Sequence, residues 1–330
     1  MVISQTPLRV SFFGGGTDYP GWIKKHGGQV LSTAIDKYSY VSLRYLPPFF
    51  DHKYRISYSK LEYVKTYLAI ENPVVRSCIE HLNIEEGLEI HYDSDLPART
   101  GLGSSSAFAV GLLKCMYYLL EKDISMYELA KEAIYVEQDL IGDTVGCQDQ
   151  ISTAYGGFNH IIFDKDGSFH VNPIAISNER LTQLQDHLMI FYTGVSRIAS
   201  TIAKEQVQAL ADHEQKLHTM SKFVLDAIKI LTEDYPINDF GLLLDETWAL
   251  KRQLSSKISN MVIDDLYNKA MSAGATGAKL LGAGGGGFLL VFAAPKHQAA
   301  IKQILADYLH VPFSFESSGS QLLFNSYQSS

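Results

Sequence analysis

Three glycine-rich stretches interrupt otherwise apolar segments of the chain: "FFGGGTDYPGW" at 12–22, "ARTGLGSSSAF" at 98–108 and "GAGGGG" at 282–287. At each, the backbone can turn tightly and a ligand can approach the main chain closely. The middle stretch constrains the fold most. Gly101 and Gly103 allow backbone angles closed to other residues, and Ser104, Ser105 and Ser106 are good helix starters ahead of the apolar run "AFAVGLLKCMYYLL". A loop of this kind leads into a helix whose first N–H groups are unpaired. Those groups, the helix dipole and the serine hydroxyls together form an anion site. Taken alone, the same residues also describe an ordinary tight turn with an N-cap. The loop is not a Walker P-loop, because GxxxxGK[ST] needs a lysine that is absent, and its GxGxxG pattern is incomplete.

The 330 residues exceed the ~250–300 at which one hydrophobic core stops growing, so two domains are expected, 1–190 and 191–330. The first part is rich in strand-like stretches, "LRVSFF", "YSYVSLRYL", "YRISYS" and "LEIHYDS", which predict a mixed sheet. After the glycine–serine loop come two helical patterns, ending in "SMYELAKEAIYVEQDLIG". "GGFNHIIFD" and "HLMIFYTG" return to strand, residues 197–272 read as amphipathic helices, and "AKLLGAGGGGFLLVFAAP" reads as strand, turn, strand. A helix and a last edge strand, "PFSFESSG", follow. Without regular βαβ alternation, the fold class is α+β.

Lys and Arg total 28 against 36 Asp and Glu, a net charge of −8, and no basic run could track a phosphate backbone, which argues against nucleic acid. No stretch approaches the ~20 apolar residues of a membrane helix, and the start lacks signal-peptide character, so a cytoplasmic protein without a membrane partner is expected. Cys78, Cys115 and Cys147 are far apart and read as thiols.

Taken in order, "TPLRVSFFGGGTDYP", "LPARTGLGSSSAF" and "AKLLGAGGGGF" span residues 6–288 and resemble the three motifs of the GHMP small-molecule kinases. The resemblance implies an N-terminal domain like domain 2 of ribosomal protein S5, a ferredoxin-like C-terminal domain, and ATP between them. It places the phosphate cradle at Gly101, Leu102, Gly103, Ser104, Ser105 and Ser106, and Mg²⁺ on Ser105 and Glu137. The catalytic aspartate falls at Asp149, in "GCQDQ", with Asp139 and Asp143 as nearby competitors. Arg9 matches a basic residue that several members place beside that aspartate, where a guanidinium offsets charge building on the phosphoryl group.

From Arg9, "RVSFFGGGTDY" has the spacing of the galactokinase-type "RVNLIGEHTDY", so Thr17 and Asp18, with Gly15 and Gly16, fall where that group binds sugar hydroxyls. Gly15 and Gly16 replace a glutamate and a histidine, which weakens galactose as substrate. "GGGTDYPGW", "HGGQVLSTAIDKYSYV" and "FYTGVSRIAS" resemble the heptose kinase branch, implying transfer to the anomeric hydroxyl of a sugar that already carries a phosphate. Such a sugar phosphate needs a second anion site, for which Arg197 is the leading candidate and Lys37 a weaker one; Asp36 is a further substrate candidate. A fucose- or galactose-type kinase and a non-catalytic sugar sensor are the rival readings. The chain is expected to act as a monomer or homodimer.

Overall fold

The glycine loops punctuate two β-sheets and the helices that cover them. The computed structural model describes residues 1–195 and 213–325. Its larger sheet has nine strands. The path runs from β13 (Gln321–Asn325) through β1 (Val2–Phe13), β2 (Gly28–Tyr45), β5 (Leu88–Ser94) and β3 (Tyr54–Ser57) to β4 (Leu61–Val64); β12 (Phe315–Glu316) and β6 (Phe158–Phe163) also pair with β2, and β7 (Phe169–Pro173) with β6. Its centre is β1 (Val2–Phe13) against β2 (Gly28–Tyr45), antiparallel; β3 (Tyr54–Ser57) lies parallel to β5 (Leu88–Ser94), which makes the sheet mixed as the sequence suggests. The start of β1 alternates buried and half-buried side chains, whereas Thr6 to Phe13 are all buried, so this half of the strand is covered on both faces.

The smaller sheet runs β11-β8-β10-β9 and is antiparallel: β8 (Leu188–Tyr192), β9 (Gly277–Leu280), β10 (Phe288–Phe292) and β11 (Leu309–Val311). All of β10 is buried, and its side chains alternate between two cores. Phe288, Leu290 and Phe292 join Phe12, Phe13 and Phe240, while Leu289 and Val291 join Leu266, Ala270 and Ile301. The first of these cores holds β1 residues together with residues of the smaller sheet, so one apolar mass joins the two sheets. Each fully buried Leu or Phe there contributes about 1.5–3 kcal/mol.

The expected division at residue 190 falls within β8. The chain later returns to the larger sheet through β12 (Phe315–Glu316) on β2 and β13 (Gln321–Asn325) on β1. "PFSFESSG" thus yields only a two-residue strand, and the edge strand is "QLLFN", in which Leu323 and Phe324 are exposed. The α+β class is as expected. All three cysteines are thiols, Cys78 and Cys115 buried and Cys147 half-buried. No helix among the described residues is long and apolar enough to cross a membrane.

Candidate active site

The glycine–serine loop opens helix α3 (Ser104–Leu119). Gly103 stands at its N-cap with φ 76° and ψ 20°, a left-handed conformation that costs a side-chain-bearing residue about 1–2 kcal/mol. Its carbonyl accepts the first helical bond from Ala107 at 2.8 Å, and no side chain caps the turn. The N–H groups of Ser104, Ser105 and Ser106 therefore lie at the positive end of a 16-residue helix. The second glycine stretch packs on the first: a Cβ on Gly101 would stand 2.4 Å from the Leu281 carbonyl oxygen.

Below the serines lies Glu137, 1% exposed. Helix α4 (Met126–Tyr135) passes into a π-turn over Val136–Leu140, closed by Ile141 N–H to Val136 O at 3.0 Å. Such an extra residue re-aims side chains relative to a continuing α-helix, and here Glu137 points inward. Its carboxylate accepts from Ser106 Oγ at 2.7 Å, Ser105 Oγ at 3.2 Å and Gln150 Nε2 at 2.5 Å. Burial, and secondarily the charge of Asp149, push its carboxyl up to about 7, against the opposing effect of those hydrogen bonds. Ser105 is the exposed serine of the three. Gln150 Oε1 is buried with no hydrogen-bond partner. A carboxylate, a hydroxyl and an orphaned amide oxygen form an all-oxygen donor set, which fits Mg²⁺.

Asp149 occupies the first turn of α5 (Gln148–Tyr155) and is held by Arg9 of β1 in a two-point pair, Nε to Oδ1 at 2.8 Å and Nη2 to Oδ2 at 2.7 Å. Arg9 is 2% exposed, and its Nη1 also donates to the Gly101 carbonyl at 2.7 Å. Its backbone N–H bonds Leu102 O at 2.9 Å. The Arg9–Asp149 pair is thus built into the glycine–serine loop. A Cβ on Gly103 would lie 3.1 Å from Arg9 Cγ and 3.6 Å from Asp149 Oδ2.

Asp18 completes the group. It is 2% exposed, accepts from Gly16 N–H at 3.0 Å and Gln148 N–H at 3.4 Å, and a Cβ on Gly146 would stand 1.9 Å from its Oδ2. Burial first, then the charge of Asp149, push its carboxyl up, so two carboxylates from distant parts of the chain sense each other here. Gly15 faces Gln148, whose Oε1 accepts from Ser11 Oγ at 2.6 Å. Thr17 is fully buried, and its hydroxyl donates to the carbonyls of Gly14 and Gln29, fixing the loop that presents Asp18.

Asp36 and Lys37 are not brought into this group. The Asp36 carboxylate accepts from the Lys37 ammonium at 3.0 Å and from Ser314 N–H at 2.8 Å, beside β12. Arg197 lies outside the described residues. Two lysines escaped the sequence reading. Lys251, the last residue of the helix Asn238–Lys251, donates to Gly282 O and to Leu280 O; Lys279, in β9, donates to Ser11 O at 3.0 Å and to Phe12 O. Burial, then the charge of Arg9, lowers Lys251 to about 8, while Asp18 and Asp149 act in the opposite direction. A lysine within the fully buried "GAKL" strand was a readable signal for Lys279; nothing in its neighbourhood marked Lys251.

An uncapped helix N-terminus, a buried oxygen cluster and a carboxylate locked to an arginine provide the parts for phosphoryl transfer. The "GHMP kinases N terminal domain" family matches residues 63–157, and the "GHMP kinases C terminal" family matches 236–310. A D-glycero-alpha-D-manno-heptose 7-phosphate kinase of Campylobacter jejuni is 32% identical over 333 residues, covering 96% of this chain and 97% of that one. The chain belongs to the GHMP kinases. It is an enzyme, an ATP-using kinase of the sugar-kinase type. A bifunctional fucokinase/GDP-fucose pyrophosphorylase of Arabidopsis thaliana is 26% identical over 92% of this chain but only 31% of its own length. The fold matches that of a D-glycero-D-manno-heptose 1-phosphate kinase from Bacteroides thetaiotaomicron at a TM-score of 0.81, with 22% identity over 98% of this chain and 99% of that one.

Proposed function

We propose that this kinase transfers the γ-phosphoryl group of ATP to the anomeric hydroxyl of D-glycero-D-manno-heptose 7-phosphate, giving the 1,7-bisphosphate. The observation that carries the reading is the Arg9-locked Asp149 beside the buried Asp18, at the mouth of the uncapped helix. Asp18 accepts sugar hydroxyl hydrogens and orients the ring, while Asp149 orients the anomeric hydroxyl and takes its proton as the new P–O bond forms. The N–H groups of Ser104, Ser105 and Ser106 hold phosphate oxygens. Arg9 and Lys251 supply fixed positive charge where negative charge shifts toward the leaving oxygen.

Glu137 and Ser105 would hold Mg²⁺, with Gln150 Oε1 behind them; bound there, the ion neutralises charge on the nucleotide phosphates. Arg197 is assigned to the phosphate the sugar already carries. The 32% relative acts on the 7-phosphate, which favours a heptose over an unphosphorylated hexose. The similarity to a fucokinase supports a fucose- or galactose-type 1-kinase as the second reading. The test is turnover of labelled ATP on a panel of sugars and sugar phosphates with the purified chain. The heptose 7-phosphate should turn over with the highest kcat/KM; turnover confined to an unphosphorylated hexose overturns the assignment.

A further inference from the structure

On the far side of the sugar loop, α1 (Pro20–His26) and α7 (Glu214–Thr232) bring His26, Glu214 and His218 together. One ligand-capable atom from each lies within 4.8 Å of the other two. Glu214 and His218 are spaced i, i+4 on α7, so both project from one face of the helix. Their Oε1–Nε2 separation is 3.6 Å, and His26 Nε2 lies 3.9 Å from the same carboxylate oxygen. These distances are too long for hydrogen bonds. They are close to what one ion requires: bonds of about 2.0–2.1 Å in a tetrahedral shell set ligand atoms roughly 3.3–3.4 Å apart, so the two pairs that share the Glu214 oxygen contract by a few tenths of an ångström, and the two imidazole nitrogens start within 4.8 Å of each other.

The rings are held in place by packing. His26 stacks on Trp22 at 4.2 Å between centroids, and His218 stands edge-on to both, at 5.0 Å from each. Trp22 is 3% exposed and is packed with Leu217, Met220 and Trp248. The backing is therefore rigid, while Glu214 and His218, about half exposed, remain open to an arriving ion.

We propose that His26, Glu214 and His218 form a binding site for a zinc-type divalent cation that clamps α1 to α7. Two imidazoles and a carboxylate suit Zn²⁺, whereas Mg²⁺ prefers the all-oxygen set at Glu137. Three protein ligands leave a fourth position to water. The clamp braces the sugar loop from behind. Leu217 and Val224 of α7 approach the loop glycines so closely that a Cβ on Gly16 or Gly14 would meet them at 3.0 and 2.8 Å. The loop residue Asp18 is two positions before α1.

The test is calorimetric titration of the chelator-treated full chain with Zn²⁺ in excess Mg²⁺. It is repeated with His218→Gln, His26→Gln and the double variant, and Co²⁺ serves as a spectroscopic probe. One tight site per chain is expected, weakened about tenfold or more by either single change, with the visible Co²⁺ band abolished in the double variant. Circular dichroism of the metal-free His218→Gln variant should match the parent, because His218 is a surface side chain, and that variant alone must already weaken Zn²⁺ binding. Absence of stoichiometric Zn²⁺ uptake by the parent chain, or uptake unchanged in the double variant, overturns the proposal and leaves the cluster as a set of His–Glu ion pairs. Neither result depends on which sugar the kinase uses.

Discussion

Glu137→Gln should stabilise the protein while disabling it. Burial lifts this carboxyl from its ordinary 4.5 to about 7, and at about 1.4 kcal/mol per pKa unit the ionised group weakens the fold by about 3 kcal/mol above that pH. The direction follows from proton counts. Between pH 4.5 and 7 the folded state holds more protons than the unfolded state, so this contribution to stability is full below 4.5 and is lost as pH rises through 7. Glutamine removes the charge and keeps the shape. Ser106 Oγ and Gln150 Nε2 donate to the same carboxylate oxygen, so an amide oxygen in that place keeps both bonds, and the new Nε2 faces Ser105 Oγ, whose oxygen can accept from it. Unfolding entropy of about 2.1 cal/mol/K per residue over 330 residues converts 3 kcal/mol into a Tm rise of about 4 °C. Scanning calorimetry at pH 8 without nucleotide or Mg²⁺ measures it, and between pH 5 and 8 the wild type should lose stability more steeply than the variant, which keeps the contribution of Asp18. If Glu137 holds Mg²⁺ as proposed, kcat should fall by about a hundredfold or more. A variant that is less stable at pH 8, or one with the wild-type pH slope and full activity, would refute a buried, ionised, metal-holding Glu137.

Gly103→Ala forces a side chain into a left-handed turn and against Arg9 Cγ, a cost of about 1–2 kcal/mol for the backbone alone. The expected result is a KM for ATP raised about tenfold, with a modest fall in Tm. Lys251 loses its charge as pH rises through about 8. If that charge serves the phosphoryl group, kcat declines above pH 8 in the wild type, and Lys251→Met is slower but flat across the same range. Its depressed pKa also means that the folded state gains stability between about pH 8 and 10.5, and a denaturant series over that window reads this gain.

Much of the site was legible because its chemistry is local in sequence. "GLGSSS" carries its own turn and helix start, whereas Asp149 in "GCQDQ", which the structure sets in the first turn of a short helix, came from the family resemblance. The pairing of Arg9 with Asp149 joins residues 140 positions apart, and it was reachable only through the resemblance. What remained hidden depended on tertiary position. The π-turn that buries Glu137 leaves no mark on a helical periodicity, and Lys251 becomes a site residue only because its helix ends behind the glycine hairpin. Asp36, a further substrate candidate in the sequence, sits on β2 with its carboxylate bonded to Ser314 N–H and the Lys37 ammonium. The strand "QLLFN" was missed because an edge strand with mostly exposed side chains is held by backbone pairing to β1 rather than by an apolar face.

The central claim is that Asp149 handles the proton of a sugar hydroxyl. Its most direct test is single-turnover phosphoryl transfer from ATP to heptose 7-phosphate by Asp149→Asn, with nucleotide and sugar affinities measured separately. A phosphoryl-transfer rate reduced about 10²–10⁴-fold with both affinities nearly intact is expected. A rate within a few-fold of the wild type would contradict the account.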